Sequence, residues 1–230
     1  MKIICFTYAG GKAEFFNTID DATPDLDFVK LDYSGHGVRR KEPYYCSFSE
    51  LTKDMYGLLK NNLSNDDRYA LFGYSMGAIT ATDILHKIEK EGEIPPPLHV
   101  FLAAHEPHSK AELIDYSEDE LDEYVKERTI RFGGVPKRLI NNEIFWRIYL
   151  PLYRADYSII STFFFEDLNF ITHIPLTVFY SEKDTPLTEM EKWKKYYQGD
   201  SKFYEFEGSH FFINVYYREM AEIMKERLGL

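Results

Sequence analysis

Residues 71–81 read LFGYSMGAITA, and no other stretch limits so tightly what this chain can fold into. A strand that turns sharply into a helix crowds the positions beside the turn residue, so only small side chains fit two before it and two after it. Gly73 and Gly77 hold those places around Ser75. The pattern predicts a serine lifted on a tight bend at a sheet edge. Its hydroxyl would project, and the amides of Met76 and its successors would open a helix beside it, with the positive end of the helix dipole. That is one way to present a nucleophile. A flexible Gly-Ser turn fits the same five residues, so the rest of the chain has to decide.

The rest of the chain alternates. KIICFTY (2–8) and FVKLD (28–32) read as strands, with a helical segment over 12–20 between them. Ser47 and Glu50 fit a capping box that opens a helix carrying Leu51, Met55, Leu58 and Leu59. Residues 69–72 form a short strand, 78–90 a helix ending at Gly92 and Pro95-Pro96-Pro97, and 98–104 a further strand. Strand, helix, strand in this rhythm implies parallel strands with crossover helices, hence a doubly wound α/β sheet. From Ser109 to about Thr172 the strand pattern stops. Helices are expected there over 117–128, 136–140, 142–150 and 153–165, before strands resume at 175–180 and 202–206 with helices over 188–197 and 212–228. One domain over residues 1–230 with a helical lid inserted at 109–172 is the economical organisation; it holds no repeat and no low-complexity run.

Composition excludes several classes of function. A net charge of −11 argues against binding the phosphate backbone of a nucleic acid. The apolar and aromatic content supports a large core and a roomy apolar cavity, not disorder. Cys5 in a strand and Cys46 in a loop lack metal spacing and read as reduced thiols. The first residues form an apolar run too short for a secretory core, and no later run approaches a membrane span. The expectation is a cytoplasmic protein in which neither cysteine is a metal ligand.

If Ser75 is a nucleophile it needs a base, and the base needs an acid to orient it; in this sheet architecture the chain order is Ser, Asp, His. Asp184 lies in SEKDTP just after the strand at 175–180, and His210 lies in EGSHFF between the last strand and the last helix. Either alone reads as a turn or helix-start residue. Together, at strand ends and in the right order, they read as a triad. His36, His86, His99, His105, His108 and His173 fit less well as the base, and Asp156, Asp167 and Asp200 less well as the acid. For a tetrahedral oxyanion the donors would be the N–H of Met76 and one from Tyr8-Ala9-Gly10-Gly11, with Ala9 favoured. The AGG run also fits a plain turn or the start of a phosphate loop, but G-x-G-x-x-G spacing is absent.

Taken in order, ICFTYAGGKAEFF, LDYSGHGVRRKEP, LFGYSMGAITA, RFGGVPKRLI, LPLYRADYSII, VFYSEKD and FEGSHFF resemble the type II thioesterases that accompany nonribosomal peptide and polyketide synthases. The likeness covers nearly the whole chain, and the two cap strings RFGGVPKRLI and LPLYRADYSII make it specific. Tyr74 stands where His is common in that family and Ser34 where Pro is usual; neither removes a catalytic group. The resemblance implies an α/β-hydrolase fold and hydrolysis of acyl groups from the phosphopantetheine thiol of a carrier protein. It assigns Ser75 as nucleophile, His210 as general base and acid, Asp184 as orienter, and Met76 and Ala9 as oxyanion donors.

Charge distribution adds an expectation about the partner. Lys126, Arg128, Arg131, Lys137, Arg138, Arg147 and Arg154 stand against only Glu127 and Glu143 between Tyr124 and Arg154, in a chain that is otherwise strongly acidic. This segment either faces an acidic carrier domain, with Arg128, Arg131, Lys137 and Arg138 as docking candidates, or pairs with acids of the sheet domain. The same triad also serves a medium-chain acyl thioesterase or a chain-releasing acyltransferase. A non-catalytic binding protein on a hydrolase scaffold is the remaining reading, disfavoured by the intact triad.

Overall fold

The computed structural model describes residues 1–64, 66–108 and 117–230, with Glu118 and Asp119 described in backbone only. Six strands, β1 (Lys2–Phe6), β2 (Asp27–Leu31), β3 (Tyr69–Tyr74), β4 (Val100–Ala103), β5 (Leu176–Tyr180) and β6 (Ser201–Glu205), form one sheet in the order β2-β1-β3-β4-β5-β6. Every neighbouring pair is parallel. The order reverses direction at β1 and β3, which places a crevice outside their carboxyl ends, where an open α/β sheet binds ligands.

Strand alternation sorts the core into two layers. Ile4 and Phe6 of β1 face one side with Leu71 and Val178, and α2 (Phe48–Asn62) and α3 (Met76–Glu91) cover it through Leu51, Met55, Ile79 and Ile84. Ile3 and Cys5 face the other side with Phe72, Phe101 and Phe179. There α1 (Asn17–Asp21) and α7 (Ile213–Leu228) contribute Ile19, Met220 and Met224. Ser47 caps α2 as expected, its hydroxyl accepting from Glu50 N–H at 3.2 Å. The Glu50 carboxylate reaches one residue further back than a reciprocal box requires and takes the Cys46 N–H at 2.8 Å.

Between β4 and β5 the described chain is helical, with α4 (Glu118–Arg131) and α5 (Glu143–Ser161) packed around a small core of Val125, Val135, Trp146 and Tyr153. The expected insertion begins at Ser109, so 109–116 lie outside the described residues. Two helices were expected where α5 runs unbroken through Pro151. A proline costs a helix interior one hydrogen bond and a clash with the carbonyl four residues earlier. Here it sits on the exposed face, while Trp146, Tyr153, Asp156 and Ile159 bury the opposite face on both sides of it. The helix expected over 188–197 instead divides into α6 (Leu187–Met190) and a 3-10 turn over Glu191–Lys195. The buried Trp193 fixes that turn by donating its indole N–H to the His105 carbonyl at 2.9 Å.

Candidate active site

Ser75 sits between β3 and α3 with φ 55° and ψ −118°, a backbone conformation that costs a non-glycine residue on the order of 1–3 kcal/mol. Its own N–H donates to the Ala103 carbonyl at 2.8 Å, tying the bend to β4. The flanking glycines are required by packing. A Cβ on Gly73 would lie 2.1 Å from the Gly77 carbonyl oxygen, and one on Gly77 would lie 1.9 Å from the Phe6 carbonyl oxygen. The close approach of α3 to β1 and β3 therefore explains the spacing read from the sequence.

Asp184 and His210 come from the loops after β5 and β6. His210 Nδ1 lies 2.8 Å from Asp184 Oδ2, and His210 Nε2 lies 3.0 Å from Ser75 Oγ. A carboxylate only accepts, so Nδ1 carries the proton and Nε2 is left to accept from the serine hydroxyl. Both side chains are nearly buried, at 6% and 4% exposure, while Ser75 is partly exposed. The two loops are tied together by Ser181, whose hydroxyl donates to the Gly208 carbonyl at 2.6 Å.

The two expected oxyanion donors flank the same serine. Met76 is the first residue of α3, where an N–H has no partner within the helix. Ala9 lines the small cavity in front of Ser75 and His210. Among the described residues neither amide is engaged in a hydrogen bond. The cavity is only about 20 Å³, room for roughly one water molecule. Thr129, Phe132 and Gly134 at the end of α4, and Tyr153 and Tyr157 of α5, close it from above. Phe132 stacks on the His210 ring with centroids 4.4 Å apart. A larger groove of about 660 Å³, lined by Ile88, Gly92, Ile171 and His173, holds none of these residues.

The basic residues of the segment divide. Arg131, Lys137 and Arg138 are exposed, and among the described residues no carboxylate pairs with them. Arg154 pairs with Asp122 on α4, just before the segment. Arg128 is half-buried. Its guanidinium donates to the Tyr124 hydroxyl and lies 5.0 Å from the Phe132 ring and 5.7 Å from that of Tyr157.

Three side chains that the sequence reading passed over also build the site. The Tyr74 hydroxyl donates to the His210 carbonyl at 2.6 Å, so the residue standing where His is common anchors the histidine loop. Phe132 covers the imidazole. Asp156, set aside as a triad acid, reaches from α5 to the AGG loop and to His36, set aside as a base. A sequence signal existed for each, since Tyr74 lies inside the GYSMG motif and Phe132 and Asp156 lie inside the two cap strings. Among the described residues no group of three or more His, Cys, Asp or Glu side chains is arranged to hold a metal, and no helix is long and apolar enough to cross a membrane.

Comparison with known proteins identifies the family of the whole chain. Residues 1–228 match the family described as the thioesterase domain. The human medium-chain S-acyl fatty acid synthase thioesterase is 32% identical over 216 residues, covering 92% of this chain and 80% of that protein. Among solved structures, ClbQ from the colibactin NRPS/PKS pathway superposes with a TM-score of 0.85 at 21% identity, over 99% of this chain and 96% of its own. YbtT, a type II thioesterase from the yersiniabactin NRPS/PKS pathway, gives 0.82 at 21% identity, over 99% and 92%.

Proposed function

Because the chain belongs to the thioesterase family, and is thus a thioester hydrolase on the α/β-hydrolase fold, we propose that Ser75, His210 and Asp184 are its catalytic triad. We further propose that its substrates are acyl or aminoacyl groups on the phosphopantetheine arm of a synthase carrier protein. The observation that carries the first part is the unbroken chain from Ser75 Oγ through His210 to Asp184, with the serine on a strained bend. In this reading Ser75 Oγ attacks the thioester carbonyl while His210 Nε2 takes its proton. The oxyanion is held by the Met76 and Ala9 amides. Collapse breaks the C–S bond, and the imidazolium returns the proton to the departing thiolate. A water, deprotonated by His210, then attacks the acyl-enzyme, and the free acid leaves as Ser75 recovers its proton. Asp184 keeps the imidazole in the required tautomer throughout. The chain needs no metal or cofactor for these steps; the pantetheine belongs to the substrate.

The segment over 109–172 is read as a lid. A cavity of about 20 Å³ admits no acyl group, so Phe132 and the end of α4 have to withdraw for the thioester to reach Ser75. Carrier docking is assigned to the exposed Arg131, Lys137 and Arg138, with Arg128 behind them at the lid's inner side. Their lack of carboxylate partners among the described residues favours an external acidic partner over pairing with the sheet domain. The medium-chain reading stays beside this one because of the likeness to the human relative.

The test is acid release from an acetyl- or aminoacyl-phosphopantetheinyl carrier, beside the same acyl group on coenzyme A. Preference for the carrier, lost in Ser75→Ala, supports the proposal. Equal or better use of the coenzyme A ester moves the assignment to a general acyl thioesterase. Raising salt should slow carrier turnover much more than turnover of a small thioester, and equal losses count against docking through the basic residues.

A further inference from the structure

We propose that Asp156, backed by His36, is a positioning residue: from α5 it fixes the loop that carries the Ala9 amide, so that the lid helix itself sets the geometry of the oxyanion site. The inference rests on the reading of Ala9 as an oxyanion donor.

Asp156 is 2% exposed, and one of its oxygens takes two donors. The Gly10 N–H donates to Asp156 Oδ2 at 2.6 Å, and His36 Nε2 lies 2.9 Å from the same atom. These contacts join residues 146 and 120 positions apart in the chain. The far side of the histidine is also committed. His36 Nδ1 lies 2.9 Å from the Ser34 carbonyl oxygen. A carbonyl and a carboxylate only accept, so both ring nitrogens carry protons and the ring is an imidazolium. Burial alone opposes that charge, but the Asp156 carboxylate, its hydrogen bond and the Ser34 carbonyl outweigh it and raise the His36 pKa above the ordinary value. The result is a buried ion pair with one oxygen aimed at a backbone amide, an arrangement that orients the groups around it more than it stabilises the fold.

A second contact from the same helix grips the same loop. Tyr153, three residues before Asp156 on α5, packs so closely on Gly10 that a Cβ there would lie 2.0 Å from its ring; Gly10 also has φ 77°. Behind it the Gly11 N–H closes the turn on the Tyr8 carbonyl at 2.9 Å. Ala9 thus lies between a turn closed from behind and a peptide whose N–H is held by Asp156. The Tyr8 carbonyl shares a peptide plane with the Ala9 N–H, so closing the turn on that carbonyl while Asp156 holds the next peptide fixes the direction of the Ala9 N–H. A lid displaced with α5 would release that amide, so oxyanion stabilisation would be complete only with α5 seated.

The experiment compares Asp156→Asn and His36→Gln with the full-length wild-type chain. The first readouts are kcat and KM on an acyl-N-acetylcysteamine thioester. The second is the rate at which a fluorophosphonate forms a bond from Ser75 Oγ to phosphorus with loss of fluoride, a step that also loads negative charge onto an oxygen in the oxyanion site. Asp156→Asn should lower kcat and the phosphonylation rate together by roughly 10- to 100-fold with KM within about 3-fold, somewhat less than deleting an oxyanion donor outright. His36→Gln keeps the Asp156–Gly10 hydrogen bond and removes only the cation behind it. It should show the same pattern at about 5-fold or more, and it carries the test alone if Asp156→Asn does not fold. Wild-type kcat in either folded variant, or a loss confined to KM or to thermal stability, overturns the proposal. If the wild type itself neither hydrolyses the thioester nor reacts at Ser75, it is the catalytic reading that fails.

Discussion

Gly77→Ala tests the geometry of the nucleophile turn most directly. The new methyl would sit 1.9 Å from the Phe6 carbonyl oxygen, 2.5 Å from the Phe6 carbonyl carbon and 3.0 Å from the Thr7 oxygen. All three are backbone atoms, so no flexible side chain can yield. Restoring an ordinary contact of 3.4 Å means parting the start of α3 from the end of β1 by about 1.5 Å. These are the two segments that carry the proposed oxyanion donors, Met76 on α3 and Ala9 just beyond β1. An oxyanion held by both amides at about 2.9 Å would lose one of them, which corresponds to roughly 10²–10³ in kcat. Overpacking of this kind costs about 1–3 kcal/mol, or a fall in Tm of roughly 2–12 °C for a chain of this length. The assay is the phosphonylation rate at Ser75 and the hydrolysis of a small thioester, read with a thermal melt. A folded Gly77→Ala protein within about 5-fold of wild-type kcat would refute the claim that backbone contact, and not flexibility, demands glycine here.

Three further outcomes follow from other parts of the molecule. Gly57 lies within α2, and a Cβ there meets nothing within 4 Å; Gly57→Ala should raise stability by about 0.5–1 kcal/mol, measured by urea unfolding. His99 is buried against Thr177, and burial, helped by the positive charge of Arg227, pushes its pKa down to about 4. The unfolded chain therefore binds the extra proton first as pH falls below about 6.5, so stability present at neutral pH is lost toward pH 4. Between pH 7.5 and 4.5 the loss from this group is roughly 2–3 kcal/mol, and His99→Gln should flatten the acid limb of the wild-type curve by about that amount. Phe132→Ala removes the ring stacked on His210 and one wall of the cavity. It should speed labelling of Ser75 by a long-chain fluorophosphonate several-fold relative to a small one, and an unchanged ratio would show that Phe132 is not the barrier to entry.

Much of this molecule was legible in its sequence because the signals are local. Apolar strand-type runs gave all six strands to within two residues, and the capping serine marked the start of α2. The spacing of Gly73, Ser75 and Gly77 implied the bend because steric crowding around a turn acts on neighbours two positions away. Asp184 and His210 could be placed because strand ends in a parallel sheet share one edge, so the order of strands along the chain predicts which loops meet. Local rules failed at Pro151, where propensity favours a break and the buried face of α5 overrides it, and at 188–197, where Trp193 commits its indole to His105.

What only the tertiary structure decided is which side chains act across long separations in the chain. Asp156, set below Asp184 as the triad acid, meets Gly10 and His36; Tyr74 holds the backbone of His210; Phe132 lies over the imidazole. Hydrogen bonds and ring contacts of this kind impose no period on the sequence, since each partner needs only to be the right chemical type at one position. They arise when the sheet brings its loops together and α4 and α5 pack down upon them, a placement set by the burial of apolar faces over the whole chain.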